Sequence, residues 1–260
     1  PLMKMGADFD PAWNEHLPIT EIGDPNLKAI TYSSPMASAQ LKTAVLIAGL
    51  GAKGTTTLNE PAVSRNHTEL MLHEFGAVTT AGERTASVEG PKILEACNVH
   101  VPCDPSSAAY AVCAALLKPG SSLQVEDVSL NRGRIGFVRV LEHMGAEIAV
   151  KNTGTAGKEP YGVISARYTP NLRGCEIRPQ WIARTIDEIP VLTLVAAHAQ
   201  GVTVFREVGE LKVKETNRLA AAIEGLELLG IDAWTHGEDL YIQGDPGFPI
   251  PEGLVFDSPK

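Results

Sequence analysis

No stretch of this 260-residue sequence is apolar over the length a membrane crossing needs, and Pro1-Leu2-Met3-Lys4-Met5-Gly6 lacks the charged-then-apolar order of a leader. A soluble protein is the expectation. Positive charge is in short supply. Twenty-two Lys and Arg stand against 31 Asp and Glu, a formal net charge of -9, which argues against a nucleic-acid surface. Any anionic ligand must then be held by a local group of cations. Cysteine is scarce too, and Cys97, Cys103, Cys113 and Cys175 lie at spacings that match no zinc or redox motif, so they read as reduced thiols of a cytoplasmic-type protein. The seven histidines form no metal-ligand spacing, and no GxGxxG, Walker or GxSxG motif occurs.

What the chain has is a repeated long unit. Hydrophobic residues make up 44% of it, ample core for one large domain or two small ones. An apolar residue followed by glycine and a small or β-branched run appears at Met5-Gly6, Phe75-Gly76, Met144-Gly145 and Leu229-Gly230. A period of about 70 to 85 residues is too long for a solenoid and suits a small βαβ-containing unit. Within each unit the pattern predicts a helix with a small-residue face, a glycine turn, a β-branched strand, a polar loop and a second helix ending at the apolar-Gly mark. The helix pairs fall at 38–50 and 67–75, at 106–117 and 135–144, and at 187–199 and 214–229. A two-stranded segment follows each second helix, as at 147–150 with 161–166, where 152–160 reads as a turn. The chain opens on the tail of such a unit. The basic run Asn131-Arg132-Gly133-Arg134 reads as a hinge or as a simple basic turn, and it marks a candidate domain seam.

Chemistry is concentrated at the helix starts. In Val213-Lys214-Glu215-Thr216-Asn217-Arg218-Leu219 the pattern predicts a helix from Lys214, with Lys214 and Arg218 four apart on one face of its first turn. The positive end of the helix dipole favours acids there, so two cations at that place suit an incoming phosphate or carboxylate. A solvated helix start with a Glu215–Arg218 pair explains the same residues. Asp104-Pro105-Ser106-Ser107 reads as an N-cap. Asp187-Glu188 lies among Ile186, Ile189, Pro190, Val191 and Leu192, so at least one of its carboxylates is expected to be partly desolvated and suited to proton transfer. Ser64-Arg65-Asn66-His67 occupies in the first unit the place that Lys212-Val213-Lys214-Glu215 takes in the third, and both loops are expected to face one cleft.

The segments Ser38–Leu50, Asp104–Tyr110, Asp187–Pro190 and Val213–Leu219, in that order, resemble the successive motifs of the 5-enolpyruvylshikimate-3-phosphate synthase family over essentially the whole chain. The resemblance implies an α/β fold of inside-out βαβαββ repeats, enolpyruvyl transferase-like, in two domains that close over a cleft. Both domains are expected to be incomplete in this chain. Residues 1–131 would finish the N-terminal domain and 132–260 begin the C-terminal one. The implied reaction moves the enolpyruvyl group of phosphoenolpyruvate to the 5-hydroxyl of shikimate 3-phosphate and releases phosphate, without a cofactor or metal, in the shikimate pathway to chorismate and the aromatic amino acids.

Carried over by residue, the resemblance implies that Ser38, Ala39 and Gln40 contact the shikimate phosphate, with Ser64 and His67 in the same shell. Asp187 is the implied base for the substrate hydroxyl, Lys214 contacts substrate, Glu215 is the second proton-transfer candidate and Arg218 binds phosphoenolpyruvate. Asn217 stands where the family usually has Asp, and Cys103 where it usually has Gly. The family's early Lys-Ser and Arg residues and its later Asp-His-Arg helix are not found, so the sequence reads as an internal fragment, inactive alone and a cytoplasmic monomer when whole. The UDP-N-acetylglucosamine enolpyruvyl transferases share fold and chemistry, but Lys214-Glu215-Thr216 and Ser38-Ala39-Gln40 favour the shikimate enzyme. A non-catalytic module that kept the fold is the alternative of a different class.

Overall fold

The computed structural model describes residues 1–10, 18–23, 26–213, 216–248 and 253. Its first elements are a short helix α1 (Leu2–Met5) and an antiparallel pair of strands, β1 (Asp8–Phe9) and β2 (Glu21–Ile22). A complete unit follows: β3 (Thr31–Ser33), α2 (Ala39–Gly49), β4 (Gly54–Asn59), α3 (His67–Glu74), β5 (Thr79–Ala81) and β6 (Thr85–Gly90). The middle unit carries α4 (Pro105–Leu117), β7 (Ser122–Ser129), α5 (Gly136–His143), β8 (Glu147–Ala156) and β9 (Glu159–Arg167). The last has β10 (Glu176–Ile177), a single-turn α6 (Pro179–Ile182), α7 (Ile189–Ala197), β11 (Gly201–Phe205), α8 (Arg218–Leu228), β12 (Ala233–His236) and β13 (Asp239–Gly244).

The sheets confirm that these are copies of one βαβαββ plan. The first has the order β3-β4-β6-β5 and the last β10-β11-β13-β12. In both, the first two strands pair in parallel and the other neighbours are antiparallel. The middle sheet runs β7-β9-β8, and a parallel bridge between Cys103 and Val128 stands where β3 and β10 stand in the other units. The apolar-Gly marks have one cause. Gly6, Gly76, Gly145 and Gly230 end their helices at φ of 102°, 80°, 86° and 79°, a left-handed turn that a residue with a Cβ enters at a cost.

The chain folds into two compact units, 1–100 with 156–159 and 101–155 with 160–260. In the first unit α2 presses on β4 and β6 through Gly49, where an added Cβ would lie 2.7 Å from Val88 Cγ1 and 2.9 Å from Thr56 Cβ. Leu46, Leu72, Ala86 and Val88 fill the space around it. The second unit has the larger core, in which the Ala-rich face of α4 and the almost wholly apolar α7 meet Phe137, Leu141, Ile164, Phe205, Leu240 and Ile242. A helix apolar on all sides belongs inside a protein, as α7 does here. Among the described residues no helix is long and apolar enough to cross a membrane.

Two local expectations are corrected. The helix expected from Lys214 begins at Arg218, because Asn217 caps it by accepting from the Ala220 N–H at 3.1 Å. Lys214 itself lies outside the described residues. The turn expected over 152–160 is only Gly157-Lys158, since β8 runs on to Ala156 and β9 starts at Glu159. Gly157, at φ 58°, supplies the left-handed residue that a two-residue hairpin needs.

Candidate functional site

In the second unit three helix starts bring charged groups together. Asp104 caps α4, accepting from the N–H groups of Ser106 at 3.2 Å and Ser107 at 2.9 Å, with Pro105 at the first helical position. Asp187 and Glu188 immediately precede α7, and Arg218 opens α8. Arg134 enters from the turn before α5. Its Nη2 donates to Asp104 Oδ1 at 2.9 Å and to Ser106 Oγ, while its Nη1 lies 3.8 Å from Asp187 Oδ2. Asp187 Oδ1 in turn accepts from Arg218 Nη1 at 3.3 Å. The result is an alternating row, Asp104, Arg134, Asp187, Arg218.

Glu188 lies beneath this row, 2% exposed, and accepts a hydrogen bond from the Ser106 hydroxyl. Burial pushes its carboxyl above the usual range, against the opposing pull of the Ser106 bond and the Arg134 charge. The desolvated acid expected in Asp187-Glu188 is thus Glu188. Asp187 keeps 34% of its side chain exposed, open enough to meet a ligand. Burial also acts on Asp104, but the N–H groups of Ser107 and Ser106, the Ser107 hydroxyl and Arg134 outweigh it and hold that carboxyl below its ordinary value. Between α7 and α8 an apolar groove of about 410 Å³, floored by Ala221, Ala222 and Gly225, has Arg218 on its lining. Lys214 and Glu215, expected beside Arg218, lie outside the described residues.

The first unit holds the other expected residues. Ser38 caps α2 by accepting from the Leu41 N–H at 3.3 Å. Ala39 and Gln40 line a cavity of about 310 Å³ with Thr43, Arg65, His67 and Thr68. His67 is the first residue of α3, and Thr43 and Thr68 join the two helices through their hydroxyls at 2.5 Å. Beneath them Lys42 Nζ lies 3.0 Å from both Glu60 and Glu69, linking α2, the end of β4 and α3. Ser64 Oγ is buried with no hydrogen-bond partner among the described residues. Ser38, Ala39, Gln40 and His67 are thereby gathered at one pair of helix starts, with Ser64 in the loop that leads into α3.

Sequence reasoning did not single out Arg134, Ser106 or Arg65 as site residues, and it left open which carboxylate of Asp187-Glu188 is the desolvated one. Arg132-Gly-Arg134, two cations in a chain of net charge -9, was the available signal for the first, and it read equally well as a plain turn. The partners of Arg134 include Asp104, 30 residues upstream, and Asp187, about 50 downstream, and spacing along the chain does not reveal contacts made across a fold.

A family model described as EPSP synthase (3-phosphoshikimate 1-carboxyvinyltransferase) matches residues 1–247. The 3-phosphoshikimate 1-carboxyvinyltransferase of Bacillus pumilus (strain SAFR-032) is 42% identical over 259 residues, covering 99% of this chain and 60% of that protein. The Bacillus licheniformis protein of the same name is 44% identical over 245 residues, or 94% and 57%. An EPSP synthase structure from Acinetobacter baumannii aligns with a TM-score of 0.83 at 36% identity, over 93% of this chain and 55% of that one. The chain therefore spans at most about three fifths of the length of these relatives.

Proposed function

The chain belongs to the EPSP synthase family, and we propose on that premise that the protein transfers the enolpyruvyl group of phosphoenolpyruvate to the 5-hydroxyl of shikimate 3-phosphate and releases phosphate. The observation that carries this reading is the Asp187–Arg218 pair, a carboxylate and a guanidinium 3.3 Å apart at the starts of neighbouring helices. Exchanging the phosphate on a vinyl carbon for the oxygen of a ring hydroxyl calls for addition across the double bond and then elimination. In the addition the hydroxyl oxygen bonds to the phosphate-bearing carbon, its proton leaves to a base, and the methylene carbon gains a proton. In the elimination that carbon gives a proton back as the C–O bond to phosphate breaks.

Asp187 is the base for the hydroxyl in this reading, and Glu215 the second group for proton transfer. Arg218 holds the phosphoenolpyruvate anion in a forked contact and Lys214 adds a point charge beside it. Ser38, Ala39, Gln40, Ser64 and His67 receive the phosphate of shikimate 3-phosphate at the helix starts of the first unit. The unpartnered Ser64 hydroxyl and the cavity beside Gln40 support that assignment. No step needs a cofactor or a metal. The test is phosphate release by the full-length protein, which should require both phosphoenolpyruvate and shikimate 3-phosphate. Release that needs a UDP-amino sugar instead, or no release with either acceptor, would remove the reading.

A further inference from the structure

Asp187 is held from two sides, and the two guanidinium groups are mounted differently. Arg218, on the rim of a groove at the first residue of α8, keeps 28% of its side chain exposed and meets Oδ1. Arg134 keeps 14%, faces Oδ2, and is anchored behind by Asp104 and by Ser106, whose hydroxyl passes the contact on to Glu188. The backbone fixes its position as well. At Gly136 an added Cβ would lie 2.5 Å from the Arg184 carbonyl oxygen and press on Thr185 Oγ1, so the turn carrying Arg134 lies directly on the segment leading to Asp187. A phosphate or carboxylate arriving at α8 competes with Asp187 for the fork of Arg218, since both are planar or tetrahedral oxyanions of like geometry for that fork. It competes far less for Arg134, which two other oxygens already engage.

We infer that Arg134 is a positioning residue: it keeps Asp187 oriented through Oδ2 while Arg218 turns to the phosphoenolpyruvate anion and releases Oδ1 to the substrate hydroxyl. Until the anion arrives, Arg218 covers the oxygen that must take the proton. Anion binding and exposure of the base are then one event. The inference rests on the role of Asp187 proposed above. Among the described residues, the charged groups set around Asp187 include Arg134 on the turn, Asp104 behind it at the cap of α4, Glu188 on its own segment and Arg218 on α8.

The test compares Arg134→Gln and Arg134→Lys with the unaltered full-length protein, in turnover of phosphoenolpyruvate and shikimate 3-phosphate. Arg134→Gln should lower kcat about 10- to 100-fold, as small misplacement of a reacting group does. It should leave the KM for phosphoenolpyruvate within about twofold, because the loss falls on the transition state. Arg134→Lys should recover part of the lost kcat. A fall in kcat that Arg134→Lys does not relieve at all would make Arg134 merely structural, and a raised KM for phosphoenolpyruvate at unchanged kcat would make it an anion ligand. Either outcome overturns the inference. If Arg134→Gln does not fold, Arg134→Lys decides: loss of the fork should still lower kcat, and unaltered kcat would contradict the positioning role. Inert unaltered protein removes the proposed function and this inference together, whereas active protein with an unaffected Arg134→Gln removes only the inference.

Discussion

Replacing Lys42 by Met tests how the helix starts of the first unit are held. Lys42 Nζ lies 3.0 Å from Glu60 and 3.0 Å from Glu69, and the three side chains are only 4%, 4% and 3% exposed. Glu60 Oε1 and Glu69 Oε2 are buried with no hydrogen-bond partner among the described residues, so the lysine is a major compensation for two desolvated carboxylates. Removing one partner of a buried ion pair costs about 3–5 kcal/mol, because a charge is left behind without its counter-charge. Here two are left, so the upper part of that range is expected. Met nearly conserves the volume, and the cavity contribution should be small. Urea dependence of amide hydrogen exchange in α2 and α3 of the full-length protein measures the loss locally. A loss under about 1 kcal/mol at neutral pH, the figure for exposed pairs, would refute the buried-triad reasoning.

Other substitutions probe the second unit. Gly136→Ala should cost about 1–3 kcal/mol from overpacking against Arg184 and Thr185, and should lower kcat by shifting Arg134; a urea melt and turnover unchanged from the parent would contradict this. Burial raises the Glu188 carboxyl, so charging it in the folded state costs stability as pH rises. The stability of Glu188→Gln relative to the parent should accordingly improve from acid to neutral pH, and a flat difference would show that Glu188 is not penalised by burial. Asn217→Ala should cost about 0.5–2 kcal/mol through loss of the cap on α8 while Asn217→Asp keeps it; equal melts for the two would argue against the cap.

Much of the fold was legible because its punctuation is covalent in origin. Gly6, Gly76, Gly145 and Gly230 are needed where the backbone turns left-handed, so their spacing revealed the repeat and its helix ends directly. Asp104-Pro105-Ser106-Ser107 was legible as a cap for the same local reason. The start of α8 was misplaced because Lys214 to Arg218 fits a helical face as well as a loop, and the decisive factor is one side-chain bond from Asn217. Strand order is set by pairing between distant segments, and no local pattern announces that β6 inserts between β4 and β5. The same limit hid Arg134. Asp187 was singled out with its apolar neighbours, but which of the two adjacent acids is buried depends on how the chain enters α7, and the structure assigns burial to Glu188.

Steady-state kinetics of Asp187→Asn in the full-length protein, with phosphoenolpyruvate and shikimate 3-phosphate, bear on the proposed reaction with the fewest intervening assumptions. If Asp187 takes the hydroxyl proton as the reaction proceeds, kcat and kcat/KM should fall by similar factors of roughly 100-fold or more, with KM little changed. An Asp187→Asn protein that turns over at the parent kcat would contradict the role of Asp187 as the base and, with it, the reading of the Asp187–Arg218 pair as the reacting centre.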